Sequence, residues 1–313
     1  MSRVPPFRSF LCAIAAAAAA CLAAGCGRAP DGAGEGSAAL RATASLPPVA
    51  GLVRALGGER WSVSSLVGPG QDPHVYEPTP GQVSALASSR LFFRTEMPFE
   101  EALAARAASA FPGVGLVALE PAVPHEVGRG DVHEHGRDHG HGHGHDHDEA
   151  AVHGWLSPAN LEAWTRAIAA ELSAADPAEA GAVGSRLSAW LGELAAETAR
   201  TRAAVSDAGV RAFAAWHPAF GAWAEAFGLE QIALEADGKA PGPRTIAAAR
   251  ERVAATGART MLVQNGAEAA RAAAFARDAG LRIVVVAPLG DDPLETLRAL
   301  REAVFGAAPA VGP

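Results

Sequence analysis

From Ala39 onward the chain alternates short apolar runs with helical patterns, and it does so in two blocks. In the first block, ALRATAS, RWSVSSLV, RLFFRT and VGLVALE read as strands. PPVAGLVRALGG, TPGQVSALASS and MPFEEALAARAASA between them read as helices, with prolines at their starts. Strands separated by helices run parallel, because a parallel pair needs a crossover long enough to hold one. The second block begins at Val210. VRAFAAW, LEQIALE, RTMLVQ and LRIVVVAP are its strands. PAFGAWAEAF, GPRTIAAARERVAATG, AEAARAAAFARDAG and DPLETLRALREAVF are its helices. The predicted class is therefore α/β, with mostly parallel sheets and helices on both faces.

Between the blocks lies helical text without strands. One helix follows WLSPAN and runs to about Ala174. A second pattern, DPAEAGAVGSRLSAWLGELAAETARTRAAV, places Leu187, Leu191, Leu194 and Thr198 at helical spacing with Trp190 beside them. As one helix of about 28 residues it is roughly 42 Å long, enough to span two lobes. Gly181, Gly184 and Gly192 count against a continuous helix. The expected architecture is two small βα lobes joined by one long helix, with a ligand cleft between them.

The expected boundaries follow. Residues 1–25 carry Arg3 and Arg8, then an apolar run from Phe10 to Ala24, which is the layout of a secretory signal and short for a membrane span. Leu22-Ala23-Ala24-Gly25-Cys26 resembles a lipobox, so cleavage and lipidation at Cys26 are expected; plain secretion is the alternative. Residues 26–38 form a Gly-rich tether. The N-terminal lobe takes 39–175, the linking helix 176–205 and the C-terminal lobe 206–313. Such a body would sit on the extracytoplasmic face of a membrane, in a bacterial periplasm or its equivalent, as a lipid-anchored monomer.

Charge and cysteine narrow the chemistry. The formal net charge is −8 and no basic stripe occurs, which argues against nucleic acid as a partner. The three cysteines, Cys12, Cys21 and Cys26, all precede the folded part, so neither a disulfide nor a thiolate metal site is available there. Any metal must be held by imidazole, carboxylate or carbonyl.

Within the N-terminal lobe, residues 121–150 have no apolar periodicity and read as a disordered loop. Its stretch HEHGRDHGHGHGHDHD holds His133, His135, His139, His141, His143, His145 and His147. Near neutral pH most free imidazoles are unprotonated and can coordinate. Two readings stand: a solvated linker that binds metal weakly, or a low-affinity collector that passes metal to a tighter site.

Outside that region there are three histidines, His74, His153 and His217. His74 follows the strand RWSVSSLV and His217 follows VRAFAAW, one from each lobe, where ligands of open parallel sheets sit. His153 stands where the lobes would meet. Three converging imidazoles suit Zn2+. On spacing alone, three ordinary surface histidines remain an equal reading.

Five motifs then resemble, in order, those of the zinc and manganese solute-binding lipoproteins of ABC importers. They are DPHVYEPTP, HGWLSPAN, HPAFGAWAEAFGL, DGKAPGPRTI and VVVAPLG. The resemblance covers about Ala39 to Phe305. It implies two α/β lobes bridged by a long helix, with metal held by His74, His153 and His217. It also gives the His-rich loop a place, since ZnuA-like zinc members often carry such a loop before the second motif. Many relatives, above all those for manganese, have an aspartate before the final Pro-Leu; here that position is Ala287. Water, or an acid such as Glu77, Glu96 or Glu235, is left as fourth ligand, and losing a hard oxygen donor argues against manganese. Asp72 or Glu77 is a candidate acceptor for a ligand's second N–H.

The expected function is a non-enzymatic zinc receptor that hands Zn2+ to the membrane permease of an ABC importer. No HExxH or other catalytic motif is present. The alternatives are a metal buffer or metallochaperone working through the loop, or a receptor for manganese, nickel or copper.

Overall fold

Ala212–Ala215 and Thr260–Val263 are buried at every position. Strands covered on both faces read as unbroken apolar runs, and these two lie at the centre of a sheet. The structure, a computed structural model, describes residues 39–122, 153–235 and 239–306. The signal-like segment, Cys26 and the His-rich loop lie outside the described residues.

The N-terminal lobe runs β1 (Leu40–Ala44), α1 (Pro47–Gly57), β2 (Trp61–Ser65), α2 (Pro80–Leu86), β3 (Leu91–Arg94), α3 (Pro98–Ala110) and β4 (Gly115–Ala118). Two helices follow, α4 (Pro158–Ala175) and α5 (Ala180–Ala208). The C-terminal lobe runs β5 (Ala212–Ala215), α6 (Gly221–Ala226), β6 (Glu230–Ala233), α7 (Pro243–Thr256), β7 (Thr260–Val263), α8 (Gly266–Ala279), β8 (Arg282–Val285) and α9 (Pro293–Phe305). Six of these helices begin on proline, whose fixed φ fits the first helical position and whose missing N–H is not needed there.

Both sheets are wholly parallel, with orders β2-β1-β3-β4 and β6-β5-β7-β8. In each, the chain leaves the second strand on one side and crosses to the other. That reversal opens a crevice beyond the carboxyl ends of the strands. The outer strands β4 and β8 are less covered, and Val285 is 54% exposed.

The long helix α5 has 29 residues and is continuous through its glycines. Gly181, Gly184 and Gly192 face open space, so they weaken the helix without disturbing its packing. The buried line is Val183, Trp190, Leu194, Glu197 and Thr201, turned slightly from the leucine line that the sequence suggests. Glu197 explains the turn: it is 1% exposed and accepts from Arg301 Nε of α9 at 2.6 Å. Arg298 of α9 reaches Glu193 at 2.9 Å in the same seam.

One apolar core passes through both lobes, from Leu46, Val53 and Phe92 to Phe213, Trp223 and Leu300. A smaller one, around Ile232, Val263 and Phe275, lies within the C-terminal lobe. Helix α1 is buried over most of its surface, because β1 and β2 cover one side and α4, α5 and α9 the others. Gly51 of α1 lies against the backbone of Asp291, where any Cβ would collide with the Asp291 carbonyl oxygen. Arg54, one turn on, pairs with the Asp291 carboxylate at 2.7 Å.

Candidate metal centre

His74 sits on a short 3-10 turn, Pro73–Val75, in the loop after β2. Asp72 caps that turn: its Oδ1 accepts the His74 backbone N–H at 2.9 Å. The loop is tied down just beyond, where the Tyr76 hydroxyl lies 2.6 Å from the Leu66 carbonyl and 2.8 Å from Gln82 Oε1. Asp72 thus serves as a turn residue, and Glu77 is exposed.

His153 is 3% exposed and precedes the 3-10 turn Gly154–Leu156. Trp155 packs its ring edge to face with His153, centroids 5.2 Å apart, and its indole N–H donates to the Pro288 carbonyl at 2.8 Å. That bond ties the second motif to the last one, across the lobes. Asn160, at the start of α4, accepts from the Ala122 N–H at 2.8 Å and donates to the Gly154 carbonyl at 3.2 Å. One side-chain amide therefore holds both ends of the His-rich segment. Glu96 lines a small crevice here with Thr95, Asn160 and Trp164.

His217 comes two residues after β5. Trp216 continues the sheet by donating its N–H to the Leu262 carbonyl at 3.1 Å, and the Arg271 guanidinium lies 5.6 Å over the Trp216 ring. The His217 side chain is 14% exposed, and Glu235 Oε1 stands 4.0 Å from its Nδ1.

These three rings meet. Their centroids form a nearly equilateral triangle with edges of 5.1, 5.5 and 5.7 Å. One nitrogen from each lies within 4.8 Å of the others. His74 Nε2 and His153 Nε2 are 3.3 Å apart. Two nitrogens bound at about 2.0–2.1 Å to a tetrahedral zinc would stand about 3.3–3.4 Å apart, so this edge already has the spacing zinc needs. No carboxylate joins the cluster among the described residues. Ala287 offers no side-chain oxygen, and of Glu77, Glu96 and Glu235 it is Glu235 that approaches a cluster histidine.

The electrostatics suit a cation bound by neutral donors. Burial, and then the neighbouring His74, lower His217 to about 4, while Asp72 opposes them. Its ring is thus unprotonated at neutral pH, with a lone pair available to a metal. The structure brings together the three histidines that the sequence singles out. The sequence alone names Glu235 only as one of three unranked acids, because its place beside His217 depends on the pairing of β5 with β6. It also misses the pair of hydrogen bonds made by the Asn160 side chain, whose partners are 38 residues before it and 6 before it.

Comparison with known proteins agrees with this fold. The solved structure of ZnuA superposes with a TM-score of 0.70 at 23% identity, over 86% of this chain and 99% of that one. A zinc-bound ZnuA deletion mutant gives 0.68 at 23% identity, over 87% and 100%. Among curated proteins, the zinc-binding protein AdcA of Streptococcus pyogenes serotype M6 is 25% identical over 254 residues, which is 77% of this chain and 49% of AdcA. The manganese-binding lipoprotein MntA of Halalkalibacterium halodurans is 33% identical over 82 residues, 26% of this chain and 27% of MntA. The chain thus matches about half or less of the length of these curated relatives. The family model for ZnuA, zinc-uptake complex component A periplasmic, matches residues 43–302, and the chain belongs to that family of uptake components.

Proposed function

We propose that this chain is an extracytoplasmic zinc receptor that binds Zn2+ through His74, His153 and His217 and delivers it to the membrane permease of an ABC importer. The observation that carries the reading is the convergence of three imidazoles, one from the exit of each of two sheets and one from the turn before α4, on a single point. The all-nitrogen donor set favours zinc over manganese, which prefers carboxylate. MntA is named for manganese, but Ala287 here supplies no oxygen. Water is the simplest fourth ligand for a tetrahedral ion. The seven loop histidines from His133 to His147 act as a weak accessory collector, and Cys26 carries the lipid that holds the protein at the membrane. No described helix is long and apolar enough to cross one.

The test is a zinc titration of mature protein lacking Pro124 to Asp148, against a competing chelator, with manganese in parallel. Asn160 holds both ends of the excised segment, so the shortened chain should fold. One tight zinc site with weak manganese binding is expected, and His217→Ala in the same background should abolish it. Disappearance of the tight site with the loop alone would support a metal buffer working through the loop instead. A manganese preference would sink the zinc assignment.

A further inference from the structure

Glu235 stands where the third ligand needs a second partner. Strands β5 and β6 pair in parallel, and their ladder continues past both ends: Leu234 donates to the Ala215 carbonyl at 3.0 Å and Glu235 to the Trp216 carbonyl at 2.8 Å. That register fixes the Glu235 backbone beside the residue preceding His217. Its carboxylate is 15% exposed, faces Nδ1 of His217 and stands 4.0 Å away. A histidine binds a metal through one ring nitrogen and carries its proton on the other, and the acceptor of that proton decides which nitrogen is free. His74 and His153 already face each other through Nε2.

Resting on the zinc-receptor reading, we propose that Glu235 is the positioning residue of the third ligand. Its carboxylate accepts the Nδ1–H of His217 and so fixes the tautomer whose Nε2 lone pair takes the metal. The present 4.0 Å gap closes to hydrogen-bonding distance, about 2.7–2.9 Å, on loading. Glutamate has three rotatable bonds, so a movement of about an ångström needs no change in the backbone. The same carboxylate sets one negative charge behind a site whose three neutral imidazoles leave a dication uncompensated. With Ala287 in the last motif, charge compensation comes from behind a ligand rather than from within the coordination shell. Glu235 also acts on the buried Glu268, whose carboxyl is pushed up mainly by burial, drawn down by the Gln264 N–H and Arg271, and raised least by Glu235.

The experiment uses the full mature chain and compares Glu235→Ala with Glu235→Gln, which keeps an oxygen acceptor but not the charge. Chelator competition reads the tight site, and imidazole 15N–1H spectra of the zinc-loaded protein read the tautomer of His217. Glu235→Ala should weaken zinc 10- to 100-fold, in line with the loss of an outer partner of a metal-bound histidine. Glu235→Gln should recover most of that loss, with His217 still protonated on Nδ1. The proposal is overturned by a loaded His217 that carries its proton on Nε2. It is equally overturned by Glu235→Ala binding zinc as tightly as wild type, or by equal losses in both variants. A wild-type protein without a tight site overturns the receptor reading as well; an intact site indifferent to Glu235→Ala overturns only the role of Glu235.

Discussion

Replacing Glu197 with alanine should strand a charge in the seam between α5 and α9. Glu197 is 1% exposed, and its two oxygens accept from Arg301 Nε at 2.6 Å and Arg200 Nη1 at 3.0 Å. Removing one member of a buried pair costs about 3–5 kcal/mol, because the other charge stays behind without compensation. Here the remaining guanidinium of Arg301 is 22% exposed, so it regains some water and the lower part of that range applies. Arg200 is 58% exposed and adds less than about 1 kcal/mol. The expected loss is about 3 kcal/mol for the metal-free protein. Urea unfolding followed by tryptophan fluorescence measures it, with the midpoint falling at unchanged slope. The double variant Glu197→Leu, Arg301→Leu isolates the cause. Two apolar side chains of similar bulk leave no stranded charge, so its stability should return to within about 1 kcal/mol of wild type. A single variant that loses under about 1 kcal/mol, or a double variant no better than the single, would refute this account of how α9 is held to α5.

Two further outcomes are expected. In the metal-free protein, His217 at about 4 when folded and 6.5 when unfolded means that the unfolded chain takes up the proton first. Its stabilising contribution is complete above pH 6.5 and is lost as pH falls through 4; by pH 4.5 the loss is about 2.5 kcal/mol. Denaturation of wild type and His217→Gln at pH 7.5 and 4.5 reads it, and parallel losses in the two would contradict it. Gly51→Ala should destabilise by about 1–3 kcal/mol and weaken zinc binding as well, because its Cβ would force α1 away from Asp291 and part the lobes that hold the histidines; unchanged affinity would mean that this contact does not set the spacing of the site.

Much of this fold could be read from periodicity, because most strands contain a short apolar run and most helices open on proline. What periodicity lacks is adjacency. The text from Leu40 to Ala118 does not say that β1 lies between β2 and β3, and that order is what opens the crevice for His74. The same limit left Glu235 unranked among three candidate acids. An acid after LEQIAL looks like any turn residue until the β5–β6 register brings it to Trp216 and His217. The glycines of α5 misled in the other direction. Propensity counts about 1 kcal/mol against each, but it cannot see that all three face solvent while Val183, Trp190 and Leu194 anchor the opposite side. His74 and His217 were easier to single out, since strand exits are visible in the sequence and a residue there needs no knowledge of register.

The Asn160 amide gives the His-rich segment an unusual freedom to vary. It joins Ala122 and Gly154 whatever lies between them. Doubling the length of a flexible loop adds only about 0.6 kcal/mol to the entropy of closing it. The number of residues between those two anchors is therefore set almost independently of the fold. Under the proposed zinc role, insertions and deletions at this one place change how much metal the segment can hold while the two sheets stay as they are.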